Sequence, residues 1–303
     1  MAKLWGLVIT GAAVIAMSGL ARAADLLPPP PALEPAPPTV AAPEFNGWYL
    51  RSDVGVAASA NAPDLRVTPD PLIGAPAGAF NDFYNSTLSA SEYFDFGAGY
   101  QFNSWLRADV TGEYRGGGHL QGLEQVGIPS QKYQLADFYR ASTSSIIGLV
   151  NGYADIGTWY GVTPYVGAGM GFARNNVSGL TDSGFVYRNG VSAGSTGGYF
   201  SNGKSYNFAW ALMAGFGFDI TQNLKLEAGY RYLNYGKVKS GDSHCFSGTP
   251  ANGGFSTASC GGAPYQLSSS NRLASNDFHI GLRYMLGEAP VYAAPQGPIV
   301  RKY

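Results

Sequence analysis

From residue 47 onward, apolar side chains recur at every second position, and charged side chains fall on the positions between them. Successive residues of a β-strand point to opposite faces, so this period of two marks strands with a different solvent on each side. In 48–56, Trp48, Leu50, Val54 and Val56 share one face; Tyr49, Arg51, Asp53 and Gly55 share the other. Phe94, Phe96, Ala98, Tyr100 and Phe102 oppose Asp95, Gly97, Gly99 and Gln101. After the turn at Asn103-Ser104, Leu106, Ala108, Val110, Gly112 and Tyr114 oppose Arg107, Asp109, Thr111, Glu113 and Arg115. The pattern returns in 207–219, in 224–232 with Lys225, Glu227 and Arg231 on the polar face, and in 277–286 with Asp277, His279 and Arg283. In 165–172, Val166, Ala168, Met170 and Phe172 form an apolar face against glycines. The faces of 146–156 stay ambiguous, because Asn151 and Asp155 make the odd positions polar while Ile147 and Leu149 disagree.

These are eight strands of about ten residues, and ten residues tilted by about 40° rise about 25 Å, the height of an outer-membrane apolar band. Short turns near 103–104, 157–163 and 220–223 alternate with long connections near 57–92, 116–143, 173–206 and 236–275. That alternation is the pattern of an outer-membrane barrel with short periplasmic turns and four long extracellular loops. A water-soluble barrel would turn its apolar face inward and its Lys and Glu outward. Here the apolar face carries no charge in these strands and is strongly aromatic, with Trp48, Phe102, Trp105, Trp159, Tyr165 and Phe218 expected in a periplasmic-side girdle.

The expected fold is therefore an all-β, eight-stranded antiparallel transmembrane barrel over 47–286, in contact with outer-membrane lipid. Charged residues make up 13% of the chain, about half the usual share, which suits a surface that does not all face water. With 19 basic against 20 acidic residues, no positive excess exists to meet nucleic-acid phosphates. Ahead of the barrel, Lys3, the apolar run 4–20 and Ala21-Arg22-Ala23 read as a signal peptide ending at residue 23. Residues 24–46 read as a proline-rich periplasmic linker, and 287–303 as a periplasmic tail.

An eight-stranded barrel is only wide enough for side chains to fill it. The inward faces are thus expected to form a charge network of Arg51, Asp53, Asp95, Arg107, Asp109, Glu113, Glu227, Arg231, Asp277, His279 and Arg283. Near balance of sign at such crowding implies paired charges rather than an open pore. Cys245 and Cys260 are the only cysteines, and a chain exported through an oxidising compartment is expected to join them.

Gly47-Trp48-Tyr49, Phe96-Gly97-Ala98-Gly99-Tyr100, Pro164-Tyr165-Val166-Gly167-Ala168-Gly169 and Gly281-Leu282-Arg283-Tyr284, in this order and spacing, resemble the opacity and outer-membrane immunogenic proteins of α-proteobacteria. The resemblance covers about 47–286. It implies an OmpA-like eight-stranded barrel in the outer membrane, assembled by the barrel-assembly machinery. Members of that family usually end on the last aromatic of the final strand, whereas here Gly287 to Tyr303 follow. Either Tyr303 serves as a displaced terminal aromatic, or the assembly signal is read internally.

Catalytic chemistry has little support. Gly167-Ala168-Gly169-Met170-Gly171 lacks the helix and acidic partner of a dinucleotide loop. His119 has no second histidine close by in sequence, as a hydrolase or acyltransferase rim would favour, and His244-Cys245 lacks metal or haem spacing. No cofactor is expected. The expected role is non-enzymatic: envelope structure and contact with host or other surfaces through the loops. A small porin is the alternative, and a lipid-modifying or haem-binding barrel the weaker one.

Overall fold

The alternating segments pair in sequence order and close into a ring. The structure is a computed structural model, and it describes residues 46–247, 254–256, 260 and 263–287. The expected signal peptide and tail, and all of the linker but Asn46, lie outside the described residues, Gly287 excepted. The described residues form fourteen strands, β1 to β14 in chain order. Eight make the barrel: β1 (Gly47–Ser59), β4 (Ser91–Gln101), β5 (Leu106–Ile128), β6 (Tyr133–Asp155), β7 (Val162–Arg188), β9 (Gly203–Asp219), β10 (Leu224–Gly236) and β14 (Leu273–Met285). Each pairs antiparallel with its neighbour in that order. Val162–Val177 of β7 pairs with β9, and β1 pairs with β14, so the barrel has no open edge. Closure satisfies backbone donors and acceptors where lipid offers none.

The outward positions carry Val54, Phe94, Phe96, Val110, Val150, Met170, Phe172, Phe208, Leu212 and Ile280, all exposed. Trp48, Phe102, Trp105, Trp159 and Phe218 are exposed beside the short turns, where a girdle belongs. Tyr165 does not join them: it is buried in the lumen, edge-on to the Tyr153 ring. The parity of β6 is also settled. Ile147, Leu149, Asn151, Tyr153 and Asp155 all face inward, the two aliphatic residues included.

Three barrel strands, β5, β6 and β7, are more than twice ten residues long. At about 3.3 Å per residue and a tilt of about 40°, a strand the length of β5 rises about 58 Å, more than twice the apolar band. Much of the expected loop sequence 116–143 and 173–206 is therefore strand. Two bulges hid this. β5 carries an extra residue between Arg115 and Gly118, and β7 carries one opposite the step from Arg140 to Ser142. Gly117 and Gly179 hold positive φ at these points, a conformation that side-chain-bearing residues avoid. Beyond each bulge the inward parity switches, from Glu113 and Arg115 to Leu120 and Glu124 in β5, and from Asn175 and Val177 to Leu180 and Asp182 in β7.

Further strands widen this extension. β3 (Phe80–Leu88) pairs with outer β5, β8 (Val191–Phe200) with outer β7, β11 (Ser243–Ser247) with β8, and β12 (Gly254–Ser256) with β11. β2 (Leu65–Thr68) and β13 (Gln266–Ser269) form a separate ribbon. Between them Leu65, Val67, Leu120, Tyr139, Ala141, Leu180, Phe200 and Leu267 pack as an apolar layer, with Phe83 and Tyr265 against it. The extracellular connections thus pack an apolar core that continues into the barrel through Ile147, Leu149 and Tyr153.

Candidate functional site: the barrel lumen

All eleven residues expected in the charge network are buried within the ring. They sort into two groups along the barrel. Toward the short turns, Glu227 is the hub: its carboxylate lies 2.9 Å from Arg283 Nε, 3.3 Å from Arg107 Nη2 and 3.8 Å from Arg51 Nη2. Arg51 also pairs with Asp53 at 2.5 Å and Asp109 at 3.2 Å, and Arg107 with Asp155 at 3.1 Å. Toward the extension, Arg115 and Arg231 share Glu113 and Asp277, with Arg115 2.8 Å from each and Arg231 2.8 Å from Asp277. Asp95 lies 3.9 Å from Arg231.

Tyrosines complete the packing. Tyr49 donates to Asp109 at 3.0 Å, and Arg51 donates to the Tyr153 hydroxyl at 2.6 Å. The Arg107 guanidinium lies 4.1 Å from the Tyr153 ring centroid, and that of Arg231 4.7 Å from Tyr93. These rings need room. A Cβ on Gly99 would sit 2.4 Å from the Tyr49 ring, and one on Gly167 2.5 Å from Tyr153. The glycines read against a dinucleotide loop therefore belong to the inner wall of β7. His279 is buried, with its Nε2 3.4 Å from the Tyr165 hydroxyl.

Several members were missed at the sequence level. Arg115, Asp155, Tyr49, Tyr93, Tyr153 and Asn151 are all buried in the lumen. Parity identified the inward position of most of them, but an uncharged ring or a strand-end residue gave no sign of pairing. Lys225, on the polar face by parity, instead pairs with Asp219 at 2.5 Å beside the 220–223 turn. The remaining histidines stay outside the lumen. His119 is exposed on outer β5, and His244 stacks on Tyr199 with ring centroids 4.7 Å apart and its Nε2 3.0 Å from Ser201 Oγ. Cys245 and Cys260 are joined by a disulfide in the extension.

A closed antiparallel ring, apolar outside and charge-packed inside, defines a membrane-spanning β-barrel of the outer-membrane class. The chain belongs to the outer membrane protein beta-barrel domain family, whose model matches residues 35–285. An uncharacterized protein of Brucella abortus is 29% identical over 237 residues, covering 74% of this chain and 78% of that one. A putative adhesin of Rickettsia canadensis is 28% identical, covering 64% and 75%. An opacity protein of Neisseria gonorrhoeae is 25% identical, covering 64% and 91%. The protein resides in the outer membrane.

Proposed function

We propose that this barrel is a non-enzymatic anchor that holds a rigid extracellular β-sheet away from the membrane and makes surface contacts through it. The observation that carries this reading is the two-part seal. Ion pairs and stacked tyrosines fill the lumen, and the apolar layer around Leu120, Tyr139 and Phe200 caps it. A solute would have to open a buried charge network and then a packed core, each held by interactions worth several kcal/mol. The extension, by contrast, presents solvent-exposed aromatics on its outer face, including Phe138, Phe185 and Tyr187. Exposed aromatics of this kind are over-represented where proteins meet partners. The putative-adhesin relative supports the same reading.

Lipid forms the surroundings of the outward face, and host or environmental surfaces are the proposed partners of the extension. Two measurements test this together. Purified protein in planar bilayers is expected to show no unitary conductance. A non-adherent Gram-negative strain expressing the chain is expected to gain binding to cell monolayers, and to lose it on Phe138→Ser with Phe185→Ser while the barrel still folds. Stable conductance steps would favour the small-channel reading. Unchanged adherence would remove the contact role.

A further inference from the structure

Beyond the apolar layer, toward the tip of the β5–β6 hairpin, the extension holds an open-sided cavity of about 550 Å³. Its wall includes Glu124, Asp137, Tyr133, Tyr139 and Tyr265, and its mouth Asp70, Gln131 and Arg188. Glu124 and Asp137 stand directly opposite each other on the β5–β6 ladder, and both point inward. Like charges at facing positions destabilise a sheet. Asp182 of β7 lies outside the lining but is a third buried carboxylate, near enough to act on Asp137.

Among the described residues, no ion pair compensates these acids. Tyr139 donates to Glu124 at 2.6 Å and Tyr265 to Asp182 at 3.1 Å, but these are neutral donors. Asp137 is only 3% exposed, and among the described residues its Oδ1 has no hydrogen-bond partner. Arg188, the basic residue of the lining, is exposed and lies over the Tyr133 ring at 5.6 Å. Burial and the neighbouring Asp182 and Glu124 push Asp137 up to about 7, and burial raises Glu124 and Asp182 as well. A buried carboxylate without a counter-charge costs several kcal/mol, so the fold retains an expense that a positive ligand would offset.

We propose that this cavity binds an organic cation, an alkylammonium or guanidinium group seated against Asp137 and Glu124 among the rings of Tyr133, Tyr139 and Tyr265. A carboxylate supplies the ion pair and the tyrosine faces supply cation–π attraction, the combination that suits a positive charge on an apolar stem. A bare metal ion suits the site poorly: among the described residues, no three His, Cys, Asp or Glu side chains gather closely enough to hold one. The same chemistry has two sources, a free polyamine or a basic side chain of a surface partner. The site stands independently of whether the barrel conducts or adheres.

The test is isothermal titration calorimetry on the detergent-folded full chain at pH 8, with spermidine and, separately, with N-acetyl-lysine methylamide. Saturable binding of at least one probe is expected, weakened at least tenfold by Asp137→Asn and less than twofold by Asp70→Asn at the mouth. Affinity should fall between pH 8 and pH 6, as Asp137 takes up its proton. Asn is isosteric and removes a repelled charge, so Asp137→Asn should keep its heat-modifiable gel migration, and lost binding is then not lost folding. Spermidine binding alone assigns a free amine; binding of the lysine probe, alone or with spermidine, admits a partner's side chain. No saturable heat with either probe, or undiminished binding by Asp137→Asn, overturns the proposal.

Discussion

Glu227 offers the sharpest test of the plugged lumen. Its substitution by Gln keeps the shape and removes one charge from among three guanidiniums, at 2.9, 3.3 and 3.8 Å. Arg51 retains Asp53 and Asp109, and Arg107 retains Asp155, but Arg283 has Glu227 as its only carboxylate within 4 Å among the described residues. Arg283 is 1% exposed, so its charge would stay buried with, among the described residues, only the Gln101 side chain to accept from it, at 3.2 Å. Breaking a buried pair from one side costs about 3–5 kcal/mol, because the remaining charge has neither water nor partner. Removing both charges should cost less than the two single losses together. The coupling between Glu227→Gln and Arg283→Gln is expected at about 1 kcal/mol or more. The assay is urea unfolding of the barrel in lipid vesicles, followed by the loss of the fast-migrating band on unheated gels. A Glu227→Gln barrel that unfolds at the wild-type urea concentration would refute the hub. Strict additivity of the two changes would show that the pair does not act as one.

Other expectations follow from the faces and the extension. Ile280→Arg, on the lipid side of the residue next to His279, should cost about 2–4 kcal/mol of barrel stability in the same urea assay, whereas Ser52→Thr on the lipid face should be near neutral. Cys245 and Cys260 should resist thiol reagents on intact cells until a reductant is added, then label from outside; labelling only after the outer membrane is ruptured would reverse the topology. Asp137 has its folded-state pKa raised to about 7, so its contribution is favourable below the ordinary carboxylate range and is lost as pH rises toward 7. The extension should therefore resist protease better at pH 5 than at pH 8, and Asp137→Asn should flatten that difference.

Parity made most of the barrel legible. Two residues that share a face do so whatever the strand's length or neighbours, so Arg51, Asp53, Asp95, Asp109, Glu113, Glu227 and Arg231 could be placed inside from local pattern alone. Parity also misled where it broke. At Gly117 and Gly179 one inserted residue exchanges the faces, and a strand that continues then looks like a strand that ends. Tyr165 shows a different limit. Its parity, opposite to Val166, Ala168, Met170 and Phe172, points inward, but its place near a turn suggested the girdle; Gly215 and Gly229, on strands remote in sequence, leave the space that admits its ring.

The amino-acid sequence by itself determined that this chain crosses the outer membrane as an eight-stranded barrel, which face meets lipid, and which charges turn inward. Those properties depend on alternation and composition, both local. The tertiary structure alone decided which carboxylate meets which arginine, because strand stagger sets the partners: Arg107 and Glu227 lie far apart in the chain yet 3.3 Å apart in the lumen. It also decided that the long connections build a cored sheet, and that Glu124 and Asp137 face each other, with Asp182 buried near by and no ion pair to any of the three among the described residues. Those three acids come from three strands, and only strand pairing brings them near one another, with Glu124 and Asp137 on the cavity wall.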